Sequence, residues 1–201
     1  MFTGIIYHLG LFKGFRFGKK EIVIEAQTLA PRINTGESLA VNGVCLTLSK
    51  KQKHLLFFSL SEETIKKTNL GSLRQGKKLN LELPLTLSSP LGGHLITGHV
   101  DSRGKARQII EKKNGKRLNV SFPPELRRYF ISKGSVALNG VSLTIVELGY
   151  SSFEVELIPI TLKNSNLGEL KRGDEVNIEC DMIGKYVYNW ISEEKAKKKG
   201  E

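Results

Sequence analysis

Apolar and polar residues along the first eighty positions alternate in short runs instead of recurring every three or four. A period of two belongs to strands with one buried face. Residues 21–25 form a β-branched run, and 39–41 end at Asn42-Gly43, a strong hairpin signal. Residues 44–49 alternate apolar and small polar side chains, 50–53 read as a basic turn, and 55–60 as the return strand. Ser61 stands where an N-cap opens one helical turn. Gly71 and Gly76 flank a turn into a last strand over 78–83. Some six short strands in this length predict a closed or nearly closed barrel, which removes exposed edges.

The pattern then starts again. Leu95-Ile96-Thr97-Gly98-His99-Val100 echoes Met1-Phe2-Thr3-Gly4-Ile5-Ile6, and Asn42-Gly43-Val44-Cys45-Leu46-Thr47 returns 97 positions later as Asn139-Gly140-Val141-Ser142-Leu143-Thr144. Asn69, Asn80 and Glu82 return as Asn166, Asn177 and Glu179, and 16 of the 45 positions from 39 to 83 are identical at this shift. Solenoid repeats span about 20–50 residues; a repeat of this length is a small domain. The expected organisation is a barrel over 1–90, a second over 91–181, and a terminal segment over 182–201. The halves are expected to lie side by side about a pseudo-twofold. In the second half, 117–122, 135–138, 141–146 and 153–158 read as strands, and 123–130 as a helix entered through proline. Residues 84–93 form a short turn-rich linker.

One stretch has no counterpart. Met182, Ile183, Tyr186, Val187, Trp190 and Ile191 make one apolar stripe on a helix, with Asp181 placed to cap it. Such a stripe either packs back on the barrels or meets the same helix of other subunits; oligomerisation is the favoured expectation.

Composition narrows the function classes. Hydrophobic residues make up 39% and charged residues 25%, ordinary for a globular chain. No apolar run approaches a membrane span and the opening residues lack a signal-peptide pattern, so a cytoplasmic protein is expected. Cys45 and Cys180 face Ser142 and Leu83 in the repeat, so neither belongs to a duplicated disulfide or metal framework, and no metal is expected. The net charge of +11 raises nucleic acid as a partner. However, its lysines are scattered over turns and a tail with few aromatics between them, so a solvated basic surface is the preferred reading.

Cys45 and Thr47 share one strand face, as do Ser142 and Thr144. Such small polar groups after a hairpin are usually structural, yet this pair recurs where the polar residues around it diverge. His99 stands opposite Ile5 in the repeat and follows Gly98, where backbone and ring can approach a ligand. His8 and His54 read as surface residues, and His94 as structural or supporting.

The opening Met1-Phe2-Thr3-Gly4-Ile5-Ile6, the stretch from Gly92 to Asp101 and the paired NGV(C/S)LT motifs resemble the riboflavin synthase family of single-chain, two-barrel proteins. The resemblance implies an all-β fold of two similar six-stranded antiparallel Greek-key barrels with short helices and a C-terminal oligomerisation helix that builds a homotrimer. It implies dismutation of two 6,7-dimethyl-8-ribityllumazine molecules, without cofactor, to riboflavin and 5-amino-6-ribitylaminopyrimidinedione. The site would lie between the first barrel of one subunit and the second of its neighbour.

The resemblance also places a pocket in each barrel. In the first it implies Gly4, Ile5, Ile6, Cys45, Leu46, Thr47, Ser59, Leu60, Ser61, Glu62, Glu63 and Thr64. In the second it implies Gly98, His99, Val100, Lys133, Ser142, Leu143, Thr144, Glu156, Leu157, Ile158, Pro159, Ile160 and Thr161. His99 is the expected proton-transfer group. Ser142 is the favoured nucleophile, with Thr144 and Cys45 as alternatives. Asp181 either orients Ser142 or the histidine, or only caps its helix. Ile160 departs from the family, which carries Glu or His there. The rival expectation is a non-catalytic lumazine- or flavin-binding protein of the same fold.

Overall fold

The computed structural model describes residues 1–197. Its first barrel is built from β1 (His8–Arg16), β2 (Glu21–Glu25), β3 (Ser38–Val41), β4 (Val44–Gln52), β5 (Leu55–Ser59) and β6 (Lys78–Glu82), with the short helix α1 (Glu62–Lys67) between β5 and β6. The strands close in the order β1-β2-β5-β4-β3-β6, all neighbours antiparallel. The second barrel comprises β7 (Ser102–Lys112), β8 (Gly115–Ser121), β9 (Ser135–Leu138), β10 (Val141–Leu148), β11 (Ser152–Leu157) and β12 (Glu175–Cys180), with α2 (Pro159–Asn164) after β11. It closes in the same cyclic order. Helix α3 (Met182–Lys197) follows; Lys198 and Lys199 of the lysine-rich tail lie outside the described residues. Among the described residues no helix is long and apolar enough to cross a membrane.

The alternation does what the pattern predicts. On β4, Val44, Leu46 and Leu48 point into the barrel while Cys45 and Thr47 point out; on β10, Val141, Leu143 and Ile145 point in while Ser142 and Thr144 point out. Each barrel therefore has its own core, with Phe12, Ile24 and Phe58 in the first and Val120, Phe153 and Ile178 in the second. Phe122, Phe130 and Phe153 pack in edge and stacked pairs, centroids 4.9–5.6 Å apart. Two expectations are corrected. The basic turn begins later, because β4 continues through Lys50 and Lys51 to Gln52 with a bulge between Leu48 and Lys50. The proline-entered helix is a 3-10 segment, Pro124–Tyr129, closed by three-residue bonds such as that from the Leu126 amide to the Pro123 carbonyl at 3.0 Å.

The barrels meet along a seam of six buried or half-buried asparagines, three from each half. The Asn69 amide donates to Asn177 Oδ1 and the Asn166 amide to Asn80 Oδ1, each at 2.7 Å. Asn69 Nδ2 donates to Asn139 Oδ1 at 3.0 Å and Asn166 Nδ2 to Asn42 Oδ1 at 2.8 Å. Asn80 and Asn177 donate their side-chain amides to the carbonyls of Asn139 and Asn42, both at 2.9 Å. Every bond has its counterpart, so the pseudo-twofold runs through this network. The hairpins on the axis are turns with positive φ at both central residues, Asn42 (46°) and Gly43 (76°), Asn139 (46°) and Gly140 (78°). A Cβ on Gly43 would stand 2.6 Å from the Gly140 amide nitrogen, so glycine is required by the packing as well as by φ.

Around the seam the symmetry is broken by charge. Lys78 of the first barrel and Glu175 of the second occupy equivalent positions, as do Ser72 and Glu169. Lys78 pairs with Glu169 across the seam, and Ser72 donates to Glu175 at 3.3 Å.

Candidate functional site

The segments that precede the two barrels change places. Residues 2–6 touch the first barrel, with Phe2 beside Ala40 and Thr3 on Glu82, but do not end on it. Phe2 pairs with Ile96 in an antiparallel bridge, and Gly4 crosses to the second barrel, where its carbonyl accepts the Ser142 amide at 2.9 Å. Correspondingly, the Gly98 carbonyl accepts the Cys45 amide of the first barrel at 2.9 Å. Ile6 joins the core of the second barrel and Val100 packs on that of the first. This corrects the expected grouping: Gly4, Ile5 and Ile6 lie with Ser142, Leu143 and Thr144, whereas Gly98, His99 and Val100 lie with Cys45, Leu46 and Thr47. The exchange escapes a linear reading because both Thr-Gly segments suit either barrel by sequence.

Two equivalent surface sites result, each a strand edge roofed by a Thr-Gly loop. Gly4 and Gly98 sit at φ of +78° and +82°, and a Cβ on Gly98 would lie 2.5 Å from Cys45 Cβ. The backbone thus approaches the strand as only glycine permits. Leu48 opposes Phe58, so the chain from β5 into α1 leaves beside Thr47 and carries Ser59, Leu60, Ser61, Glu62, Glu63 and Thr64 to the rim of the first site. Ser61 caps α1, accepting the Thr64 amide at 3.0 Å. Ile145 opposes Val155, and β11 likewise carries Glu156, Leu157 and Ile158 toward α2 with Pro159, Ile160 and Thr161. Ile160 is exposed at the start of that helix. Lys133 lies in the turn before β9 at φ +66°, its amide held by the Ile145 carbonyl at 2.8 Å.

The chemical groups differ between the sites. In the second, Ser142 Oγ is 2.7 Å from Nδ1 of His94, a part-buried pair. Burial pushes the His94 imidazole below its ordinary value, and the negative charge of Asp181 partly offsets this. His94 Nε2 is buried and has no hydrogen-bond partner among the described residues. Asp181 also caps α3, its Oδ1 accepting the Ile183 amide at 3.0 Å, and it acts on His94 through its charge alone. In the first site Cys45 is a half-buried free thiol. His99 is exposed above it, its backbone amide donating to Thr97 Oγ1 at 3.3 Å. Sequence reasoning left His94 among the supporting residues; its five-residue spacing from His99 gave no sign that the two serve opposite barrels.

Below the sites, α3 is tied to the second barrel. Asp101 accepts the Cys180 amide at 2.8 Å and pairs with Lys185 at 2.6 Å, while Tyr188 packs edge-on against Tyr129. Beyond these contacts the apolar stripe is bare, with Tyr186 71% and Trp190 64% exposed.

A pair of like barrels with like sites is also what comparison with known proteins finds. A family model described as the lumazine binding domain matches residues 3–84 and again 97–181, so this is a tandem lumazine-binding-domain protein. Riboflavin synthase of Actinobacillus pleuropneumoniae is 37% identical over 193 residues, which is 95% of this chain and 90% of that protein. Riboflavin synthase of Schizosaccharomyces pombe is 34% identical over 214 residues, covering 98% and 100% of the two chains. The crystal structure of LumP complexed with riboflavin superposes with a TM-score of 0.82 at 24% identity, covering 90% of this chain and 99% of that one. The chain belongs to the riboflavin synthase family.

Proposed function

We propose that this chain catalyses the dismutation of 6,7-dimethyl-8-ribityllumazine, one molecule giving up a four-carbon unit to a second, to yield riboflavin and 5-amino-6-ribitylaminopyrimidinedione. The observation that carries this reading is the pair of equivalent sites whose frames match while their reactive groups differ: Cys45 beneath Gly98, Ser142 beneath Gly4. Two copies of one substrate call for two matching frames, and opposite roles call for different side chains within them.

The reaction needs a proton removed from the 7-methyl group of one lumazine and a nucleophile added to the ring of the other. Neutral His94 accepts the Ser142 proton as Ser142 Oγ, or a water in its place, adds to the ring of the other lumazine, and returns the proton when that oxygen leaves. His99, above Cys45, serves proton transfer at the other site, and Thr47 and Thr144 supply hydroxyls for the substrates. Backbone groups beside Gly4 and Gly98 orient the rings. Holding both rings in register supplies much of the rate.

The reactive side chains point out of their barrels, so each site is a half-site open to solvent. A first barrel laid against the second barrel of a neighbour closes two half-sites into one. The bare stripe of α3 fits a homotrimer organised in this way, with the apolar faces buried together. Two free thiols suit the reducing cytoplasm, the proposed location.

A cofactor-free assay with 6,7-dimethyl-8-ribityllumazine tests the proposal. One riboflavin and one pyrimidinedione formed for every two substrates consumed supports it. Binding without turnover would make the chain a ligand carrier instead.

A further inference from the structure

Each Thr-Gly roof is held by a buried carboxylate from the barrel it does not cover. Glu82 ends β6 of the first barrel, and its Oε1 accepts the Thr3 amide at 2.6 Å and the Thr3 hydroxyl at 2.7 Å; its Oε2 accepts the Gly4 amide at 3.0 Å. Glu179, on β12 of the second barrel, accepts the Thr97 amide and hydroxyl at 2.7 Å each and the Gly98 amide at 3.1 Å. The carboxylates are 7% and 4% exposed. A buried carboxylate taking three donors is a strong and directional clamp.

The clamp extends to the site itself. Thr97 Oγ1, while donating to Glu179, accepts the His99 amide at 3.3 Å. Thr3 Oγ1 likewise accepts the Ile5 amide at 3.1 Å. The carbonyls of the clamped glycines then take the Cys45 and Ser142 amides. Two chains of bonds therefore run from one barrel to the other barrel's site: Glu179–Thr97/Gly98–Cys45 with His99, and Glu82–Thr3/Gly4–Ser142.

We propose that Glu179 and Glu82 are positioning residues acting in crossed fashion: the carboxylate of the second barrel sets the geometry of the Cys45 site, and that of the first barrel sets the geometry of the Ser142 site. Neither carboxylate touches substrate. This rests on the functional reading above only for what the sites do; the crossed geometry is independent of it.

Glutamine keeps the shape of the side chain but replaces one acceptor oxygen with a donor, so it faces the roof amides with the wrong polarity. Hydrogen–deuterium exchange of the intact protein reads the result at single amides. In Glu179→Gln the Cys45 amide should exchange about tenfold faster with Ser142 unchanged, and in Glu82→Gln the reverse. Acceleration confined to the mutated barrel, or equal at both amides, would overturn the proposal.

Thr97→Val and Thr97→Ser supply a second test that leaves the carboxylate in place. Valine should reproduce the Cys45-specific exchange and lower lumazine turnover, while serine, keeping the hydroxyl, should restore both. Equal behaviour of the valine and serine variants would refute the clamp even if either glutamine variant failed to fold. Wild-type protein without turnover would remove the functional reading yet leave the exchange pattern to decide the clamp.

Discussion

Nδ1 of His94 lies 2.7 Å from the hydroxyl of Ser142, 48 residues along the chain, in a part-buried contact beside the charge of Asp181. The short loop before the second barrel thus delivers an imidazole to a strand that follows much later. Ser142→Ala and His94→Gln should each lower kcat by roughly 10²–10⁴-fold while leaving the fold intact, a range typical of lost acid–base catalysis. Steady-state kinetics alongside thermal unfolding checks this. Unchanged turnover in His94→Gln would remove His94 from the reaction.

The same histidine sets a pH dependence. Its folded-state value is depressed below the ordinary 6.5, chiefly by burial. The neutral, proton-accepting form therefore persists to lower pH than in a free histidine, and the acid limb of kcat/KM should fall below 6.5. For stability the sign is fixed by linkage: below 6.5 the unfolded chain takes up the proton first, so stability is lost as pH falls toward the folded value. His94→Gln should flatten both curves over that window. A urea titration series between pH 5 and 8 reads the second.

Gly98 and Gly76 share φ of +82°, but only Gly98 has a neighbour where a Cβ would go. Gly76→Ala should cost about 1–2 kcal/mol through left-handed backbone strain and keep full activity. Gly98→Ala adds the clash with Cys45, so turnover should fall steeply and the melting temperature should drop further. Equal effects of the two substitutions would show that the close approach is not needed.

Removing one seam asparagine orphans partners in both halves. Asn139→Ala leaves the Asn177 amide without its side-chain acceptor and Asn69 Nδ2 with only the Glu175 carbonyl, 3.4 Å away. One buried donor stranded and a second left with a long bond should cost about 1–3 kcal/mol, or very roughly 2–12 °C in melting temperature at this chain length. Asn42→Ala, its counterpart, should cost a similar amount. Scanning calorimetry compares the two.

Charging the bare stripe tests the proposed homotrimer. Tyr186→Lys with Trp190→Glu should convert trimer to monomer in sedimentation velocity, with activity lost and barrel stability little changed. A variant that stays trimeric would move the interface elsewhere.

The strands of each barrel were legible where alternation is strong, as in β4 and β10, because one face meets the core and the other water. β1 and β7 gave no such signal. Gly10 and Gly14 interrupt β1, which bulges between Phe12 and Gly14, and β7 carries Arg103, Lys105 and Arg107 on its outer face. The Asn-Gly hairpins and the Ser61 cap could be read directly, since their geometry is decided within four residues. The crossing of Gly4 and Gly98 could not, because it depends on which of two like surfaces lies nearer in space. The pairing of His94 with Ser142 was hidden for the same reason, and the six asparagines were visible only as repeated letters until the seam showed what they bind.

The exchanged roofs bear on the order in which the molecule can be finished. Residues 2–6 leave the ribosome ahead of either barrel, yet their partners at Ser142 emerge only after the whole first barrel and half the second. Residues 94–100 emerge after the strands of the first barrel and complete its site from behind. The strands of the first barrel therefore precede the segment that roofs them, and residues 2–6, although clamped to Glu82 of the first barrel, meet Ser142 only once the second is made.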